Sequence, residues 1–252
     1  MHVAVTGASS GIGEAVAREF ARTGAKVTLV ARRRDVLEKI AAELPGESFV
    51  ATQDLTDTAH AADWIAASEA ALGPIDVLVS NAGLLTLGDV ATFDPEEGER
   101  MMEINLLSPA RLMRAVLPGM LARKSGVIVN VTSMAAIVTL PGWVYQSASK
   151  TGSATFSEGL REELRGTGVH VMTVYPGMTD TPMTQSGLDA YGRTGLVRLI
   201  PLGNATEMAQ RLVVSVKRRR ARFFYPRFYA LARLFPRISQ WLSGRFAPRL
   251  KR

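Results

Sequence analysis

The chain contains no cysteine among its 252 residues, which excludes a disulfide framework and a thiolate metal site and fits a reducing compartment. Its three histidines, His2, His60 and His170, are scattered without metal-ligand spacing, so no metal is expected. No uninterrupted apolar run reaches the length of about 18 residues that a spanning helix needs. Strand-like sequence begins at His2, with no basic and apolar leader before it. The expectation is a cytoplasmic protein with neither a cleaved signal nor a spanning segment. Acidic residues are missing from the C-terminus: positions 217–252 carry twelve Lys or Arg and no Asp or Glu, whereas the rest of the chain holds 18 basic and 23 acidic residues. A mildly acidic body therefore bears a cationic tail.

With 47% hydrophobic residues, the chain is long enough to bury one core, and a single domain over residues 1–226 is expected. Val3–Thr6 reads as a short apolar strand, followed by the glycine-rich turn Gly7-Ala-Ser9-Ser10-Gly11-Ile12-Gly13 and an amphipathic helix from Glu14 to Thr23. Glycines at such a junction let backbone approach a pyrophosphate, and the free N–H groups of the new helix stabilise its charge. A second strand, Lys26–Ala31, ends in Arg32-Arg33-Arg34, with no carboxylate before Asp35. The end of this strand meets the adenosine ribose in a dinucleotide fold, where an acid suits a 2′-hydroxyl and an arginine a 2′-phosphate, so the sequence favours NADPH.

Strand Ser48–Thr52 leads to Asp54-Leu55, a helix over about 57–72, and a fourth strand, Asp76–Ser80, ending in Asn81-Ala82-Gly83. A long helical region over 94–124 contains Asn105, a poor helix former that either has a task or is tolerated. Gly126–Thr132 delivers Ser133 at a strand's C-terminal end, where open α/β sheets bind ligands. A helix over 143–165, a strand over 168–175, the loop from Pro176-Gly177 through Thr179 and Thr181, a helix over 205–218 and a strand over 222–225 complete the body. This alternation predicts an α/β fold with a doubly wound parallel sheet. Residues 183–203, with Gly187, Gly192 and Gly195 and little periodicity, read as a flexible lid over the substrate. Leu85, Leu140, Trp143, Met178, Met183 and Tyr191, together with Leu84, Ile137, Val138 and Leu188, are apolar candidates for a pocket, which would make the substrate a hydrophobic small molecule.

Residues 227–252 form a basic amphipathic tail. Phe228, Leu231, Phe235, Ile238, Leu242 and Phe246 recur at helical spacing, and eight of the chain's seventeen aromatics lie between 223 and 246. Such a stripe flanked by arginines suits either peripheral contact with an anionic membrane or packing over an active-site mouth, its own or a partner subunit's. Nothing in the body resembles a module that reads nucleic acid.

Taken together, Thr6-Gly7-x-x-x-Gly11-x-Gly13, Asp54-Leu55, Asn81-Ala82-Gly83, Asn105, Ser133, Lys150, Pro176-Gly177 and Thr181 resemble, in order, the marks of the short-chain dehydrogenase/reductase family over residues 2 to about 226. The resemblance implies a Rossmann-type sheet of about seven strands with helices on both faces, a nicotinamide cofactor and a homodimer or homotetramer. It assigns cofactor contacts to the glycine-rich turn (Gly7, Ser9, Ser10, Gly11, Ile12, Gly13), to Arg32, Arg33, Asp54, Leu55, Asn81, Ala82, Gly83 and Lys150, and to Pro176, Gly177, Thr179 and Thr181. It assigns catalysis to Asn105, Ser133, Lys150 and a tyrosine four residues before the lysine, where this chain has Gln146.

An amide donates and accepts hydrogen bonds but gives up no proton at useful pH, so Gln146 orients a substrate without acting as a general acid. Tyr145 is not a substitute on a regular helix, since it points about 140° away from Lys150 while Gln146 lies about 40° away. Three functions are compatible with these residues. The first is an NADPH-dependent carbonyl reductase or alcohol dehydrogenase carrying an engineered glutamine. The second is an imine or iminium reductase, whose substrate brings its own proton. The third is a catalytically silent NADPH-binding protein.

Overall fold

A computed structural model describes residues 1–190 and 202–246. Seven parallel strands, β1 (His2–Thr6), β2 (Lys26–Ala31), β3 (Ser48–Thr52), β4 (Val77–Ser80), β5 (Gly126–Val131), β6 (Val169–Pro176) and β7 (Arg222–Tyr225), form one sheet among the described residues. Their order is β3-β2-β1-β4-β5-β6-β7. The inner strands are almost wholly buried and rich in Val, whereas the edge strands β3 and β7 are partly exposed. Alternate residues serve opposite layers: Val3 and Val5 of β1 pack with Val27, Leu29, Val77 and Val79, while Ala4, Val30 and Leu78 face the other way.

One layer holds helices α1 (Gly11–Arg22) and α2 (Arg34–Glu43), and the other holds α3 (Trp64–Leu72). Helices α4 (Pro95–Met102), α5 (Ser108–Ala122) and α6 (Val144–Glu163) follow, then α7 (Pro182–Ala190) and α8 (Ala205–Lys217). Phe20 of α1 and Leu212 of α8 are fully buried in one core, so the first and last large helices of the body close the same face. Chain direction across the sheet reverses between β1 and β4, which opens a crevice beyond their C-terminal ends.

Three stretches depart from the sequence reading. The helix expected over 57–72 starts at Trp64, because Asp54 Oδ1 accepts from Thr56 N at 2.9 Å and Asp57 binds the His60 ring at 2.7 Å. Such local bonds hold the chain in turns and compete with the helical ladder. The long helix over 94–124 is interrupted by a π-helical turn, Glu103–Leu107, between α4 and α5. Of residues 183–203, where the sequence shows little periodicity, those up to Ala190 belong to the helix α7, Pro182–Ala190. Tyr191, Gly192 and Gly195 lie outside the described residues.

The basic tail folds as a 3₁₀ turn, Arg227–Tyr229, followed by two short helices, α9 (Ala230–Leu234) and α10 (Pro236–Phe246). It is clamped to the body at Glu158 of α6. Oε1 of that carboxylate accepts from Tyr175 OH at 2.6 Å and Arg222 Nε at 2.8 Å, and Oε2 accepts from Arg222 Nη2 and Arg233 Nη2, each at 2.8 Å. The Arg233 guanidinium also lies 5.8 Å from the Tyr175 ring centroid. Farther along, the Gln240 amide pairs twice with the Thr139 backbone, both bonds at 3.0 Å. No helix among the described residues is long and apolar enough to cross a membrane.

Candidate active site

A cavity of about 700 Å³ runs along the C-terminal edge of the sheet. One end is the glycine-rich turn. Gly7 has φ +67° and Gly11 φ +60°, a left-handed backbone that favours glycine. Ser10 caps α1 without a side-chain hydrogen bond, so the first N–H groups of that helix are left for a ligand. Across the turn, Thr6 Oγ1 accepts from the backbone N–H groups of Asn81 and Ala82 at 2.9 and 3.0 Å, and Asn81 Nδ2 donates to the Thr6 carbonyl at 3.0 Å. These bonds draw the ends of β1 and β4 together.

Of the residues assigned to the cofactor by sequence, Gly7, Ser9, Ser10, Gly11, Ile12, Arg32, Arg33, Asp54, Leu55, Asn81, Ala82, Gly83, Lys150, Pro176, Gly177, Thr179 and Thr181 line this cavity. Gly13 does not: a Cβ there would clash with the Gly7 carbonyl and Asn81 Nδ2, so its role is close packing behind the turn. Arg33, more than Arg32, is tied to the turn, since its Nη2 donates to the Ser9 carbonyl at 3.1 Å and to Ser9 Oγ at 2.9 Å. The open helix terminus, the glycine turn and these guanidinium groups fit a dinucleotide with its phosphates on α1.

Ser133, Gln146 and Lys150 line the middle of the same cavity. Ser133 is extended at the end of β5, and its Oγ accepts from Ala135 N at 3.1 Å, which leaves its O–H to donate elsewhere. Lys150 Nζ donates to the Val131 carbonyl at 3.2 Å. Burial pushes the Lys150 ammonium down to about 8, because the charged form loses water with no carboxylate beside it to compensate.

Gln146 is only 4% exposed, and its Oε1 accepts from Asn105 Nδ2 at 3.1 Å. Asn105 itself lies behind the cavity wall, completely buried in the π-helical turn. Its Oδ1 accepts from Leu84 N at 3.0 Å, and its Nδ2 also reaches the Leu84 carbonyl at 3.0 Å and Ser149 Oγ at 3.1 Å. The extra residue of a π turn rotates Asn105 out of the ordinary helical ladder into this network, a common use of such turns at functional sites. Tyr145 turns away, as the helical angle requires. Its ring stacks on Phe93 at 5.0 Å between centroids and fills the space beside Gly98, where a Cβ would collide with it.

Beyond the centre, the wall is apolar. Leu84, Leu85, Val138, Leu140, Trp143, Met178, Met183 and Leu188 line it, and Ile137 does not. Of the two readings the sequence offered for the tail, packing over the chain's own cavity is the one seen here, and it involves residues the sequence did not single out as lining: Tyr229, Ala232, Ser239, Leu242 and Ser243 close part of the cavity. The Tyr229 ring lies against Gly177, which has no side chain to obstruct it, and burial raises that phenol's pKa. Only Leu242 of the apolar stripe lies on this face; the other lining positions, Tyr229, Ala232, Ser239 and Ser243, fall outside the periodicity.

A doubly wound parallel sheet with a glycine-rich turn at its switch point defines the class of dinucleotide-binding α/β proteins, and half-buried Ser133 with buried Lys150 and Asn105 lies beside that turn. The chain belongs to the short chain dehydrogenase family, whose description matches residues 1–191. It is 37% identical over 185 residues to a short chain dehydrogenase of Pseudocercospora fijiensis, a match covering 71% of this chain and 60% of that protein. A short-chain dehydrogenase from Streptomyces avermitilis superposes with TM-score 0.81 at 27% identity, covering 96% of this chain and 95% of its own. An alcohol dehydrogenase from Thermococcus sibiricus, complexed with 5-hydroxy-NADP, superposes with TM-score 0.77 at 26% identity over 88% and 94% of the two chains.

Proposed function

We propose that the protein is an NADPH-dependent oxidoreductase that transfers hydride to a hydrophobic carbonyl compound, with Gln146 at the position of the family's proton-donating tyrosine. The orientation of the Gln146 amide carries this reading. Its oxygen is engaged by Asn105, so the N–H₂ group is what remains for a ligand in the cavity that Gln146 and Ser133 share. Two donors, the amide and the Ser133 hydroxyl, suit an acceptor such as a carbonyl oxygen and hold it while negative charge develops. An iminium N–H, itself a donor, would find among these two groups only the Ser133 oxygen to accept it.

The reduced nicotinamide supplies hydride when bound. The chain must then hold the oxygen, exclude water and deliver one proton to the alkoxide. Gln146 cannot give that proton, and Lys150, one turn further along α6 with its ammonium held near 8, is the acid assigned to the step. Preference for NADPH rests on Arg33, whose anchoring to Ser9 sets a planar cation beside the phosphate turn. The glutamine defines the test. Purified protein and Gln146→Tyr are compared with NADPH on matched panels of bulky ketones and cyclic imines. Tyrosine is expected to raise ketone turnover by about 10²–10⁴ with cofactor affinity unchanged. Imine turnover confined to the glutamine form would replace the carbonyl reading by an imine reductase, and no turnover by either form would leave a cofactor-binding protein.

A further inference from the structure

Folding of the tail leaves its strongest apolar face outside. Phe228, Leu231, Leu234, Phe235, Ile238 and Trp241 are each between 53% and 69% exposed, and all lie within residues 228–241. Elsewhere among the described residues, Met1 and Val90 are the large apolar side chains more than half exposed. The opposite face of the same helices is engaged: Tyr229, Ala232, Ser239 and Ser243 wall the cavity, and Arg233 is held by Glu158. Burial therefore explains one face of these helices and leaves the other without a partner.

Charge identifies the partner. Arg227 and Arg237 are exposed and make no ion pair among the described residues, and residues 217–252 contain no carboxylate. Two copies pressed together through this face would set arginine against arginine. An anionic lipid surface offers phosphates to the guanidinium groups and an acyl boundary to the apolar side chains, with Trp241 suited to the interface between them. We propose that α9 and α10 dock the protein on an anionic membrane surface, lying in its plane. Because the same two helices wall the cavity, docking would bring a lipid-phase substrate to the chamber; that consequence rests on the carbonyl reading, whereas docking itself does not.

The test uses the full chain with vesicles of phosphatidylcholine alone and of phosphatidylcholine with phosphatidylglycerol. The wild-type protein is expected to float with the anionic vesicles, to shift its tryptophan emission to the blue, and to release as salt is raised. The double variant Leu234→Ser/Trp241→Ser, at exposed positions that touch neither the cavity nor the Glu158 clamp, should bind at least about tenfold more weakly. Arg227→Gln/Arg237→Gln should weaken binding about fivefold per arginine and flatten the salt dependence, which keeps the test intact if the first variant folds poorly. Absence of vesicle binding by the wild-type protein, or equal binding by the variants, overturns the proposal. So does a wild-type particle that leaves vesicles alone but halves its mass on Leu234→Ser/Trp241→Ser, which would make the face a subunit contact. A parallel NADPH titration reports on the functional reading separately.

Discussion

One helical turn before Lys150, Gln146 is a buried side chain that cannot ionise, and on the proposed carbonyl reading it stands where a proton donor is expected. Asn105 Nδ2 lies 3.1 Å from the Gln146 oxygen, which on that reading turns the amide's donors toward the substrate. The acid assigned by that reading is Lys150, whose folded pKa is lowered to about 8 by burial. It carries its proton below that value and loses it above. Carbonyl turnover by the glutamine protein should therefore fall as pH rises through about 8, and a rate that stays flat across that range would remove Lys150 as the proton source. At the other end of the cavity, Arg33 donates twice to Ser9. Arg33→Ala should reduce the preference for NADPH over NADH by about 10- to 100-fold, the value of a charge-assisted hydrogen bond to phosphate; equal loss of both affinities would mean that Arg33 only shapes the turn.

Among the elements, local pattern could not foretell the π turn, and for the tail it left two placements open. The single extra residue that aims Asn105 inward, between α4 and α5, leaves no mark in apolar periodicity. In the tail, periodicity correctly indicated helix but not which side would pack. The stripe from Phe228 to Ile238 faces outward, while the attachment is made by Arg233 and Gln240. Glu158 governs that attachment, since one carboxylate joins α6, β6, β7 and α9. Glu158→Gln should lower unfolding stability by about 1–3 kcal/mol and expose the tail to protease before the body. Its cationic and phenolic partners hold the carboxyl at about 2, below the ordinary value of about 4.3. The contribution is thus fully present above the ordinary carboxylate range and is lost as pH falls toward 2. An acid-unfolding midpoint unchanged in Glu158→Gln would show that the clamp adds nothing.

For the molecule as a whole, the sequence alone determined the alternation of strand and helix, the place of the phosphate turn and the residues at the ends of β1, β4 and β5. Those features rest on hydrophobic period, on glycine's access to left-handed backbone and on chemistry confined to a few adjacent residues, all of which act locally. It also determined that Tyr145 could not replace Gln146, because helical geometry fixes the angle between neighbours. Only the tertiary structure decided that Gly13 is packed against Gly7 and Asn81, that Arg33 reaches Ser9, that Asn105 meets the Gln146 amide, and which residues of the cationic tail close the cavity. Each of these joins residues far apart in sequence, and the free energy that selects them comes from burial and hydrogen bonding between surfaces that do not exist until the sheet has formed.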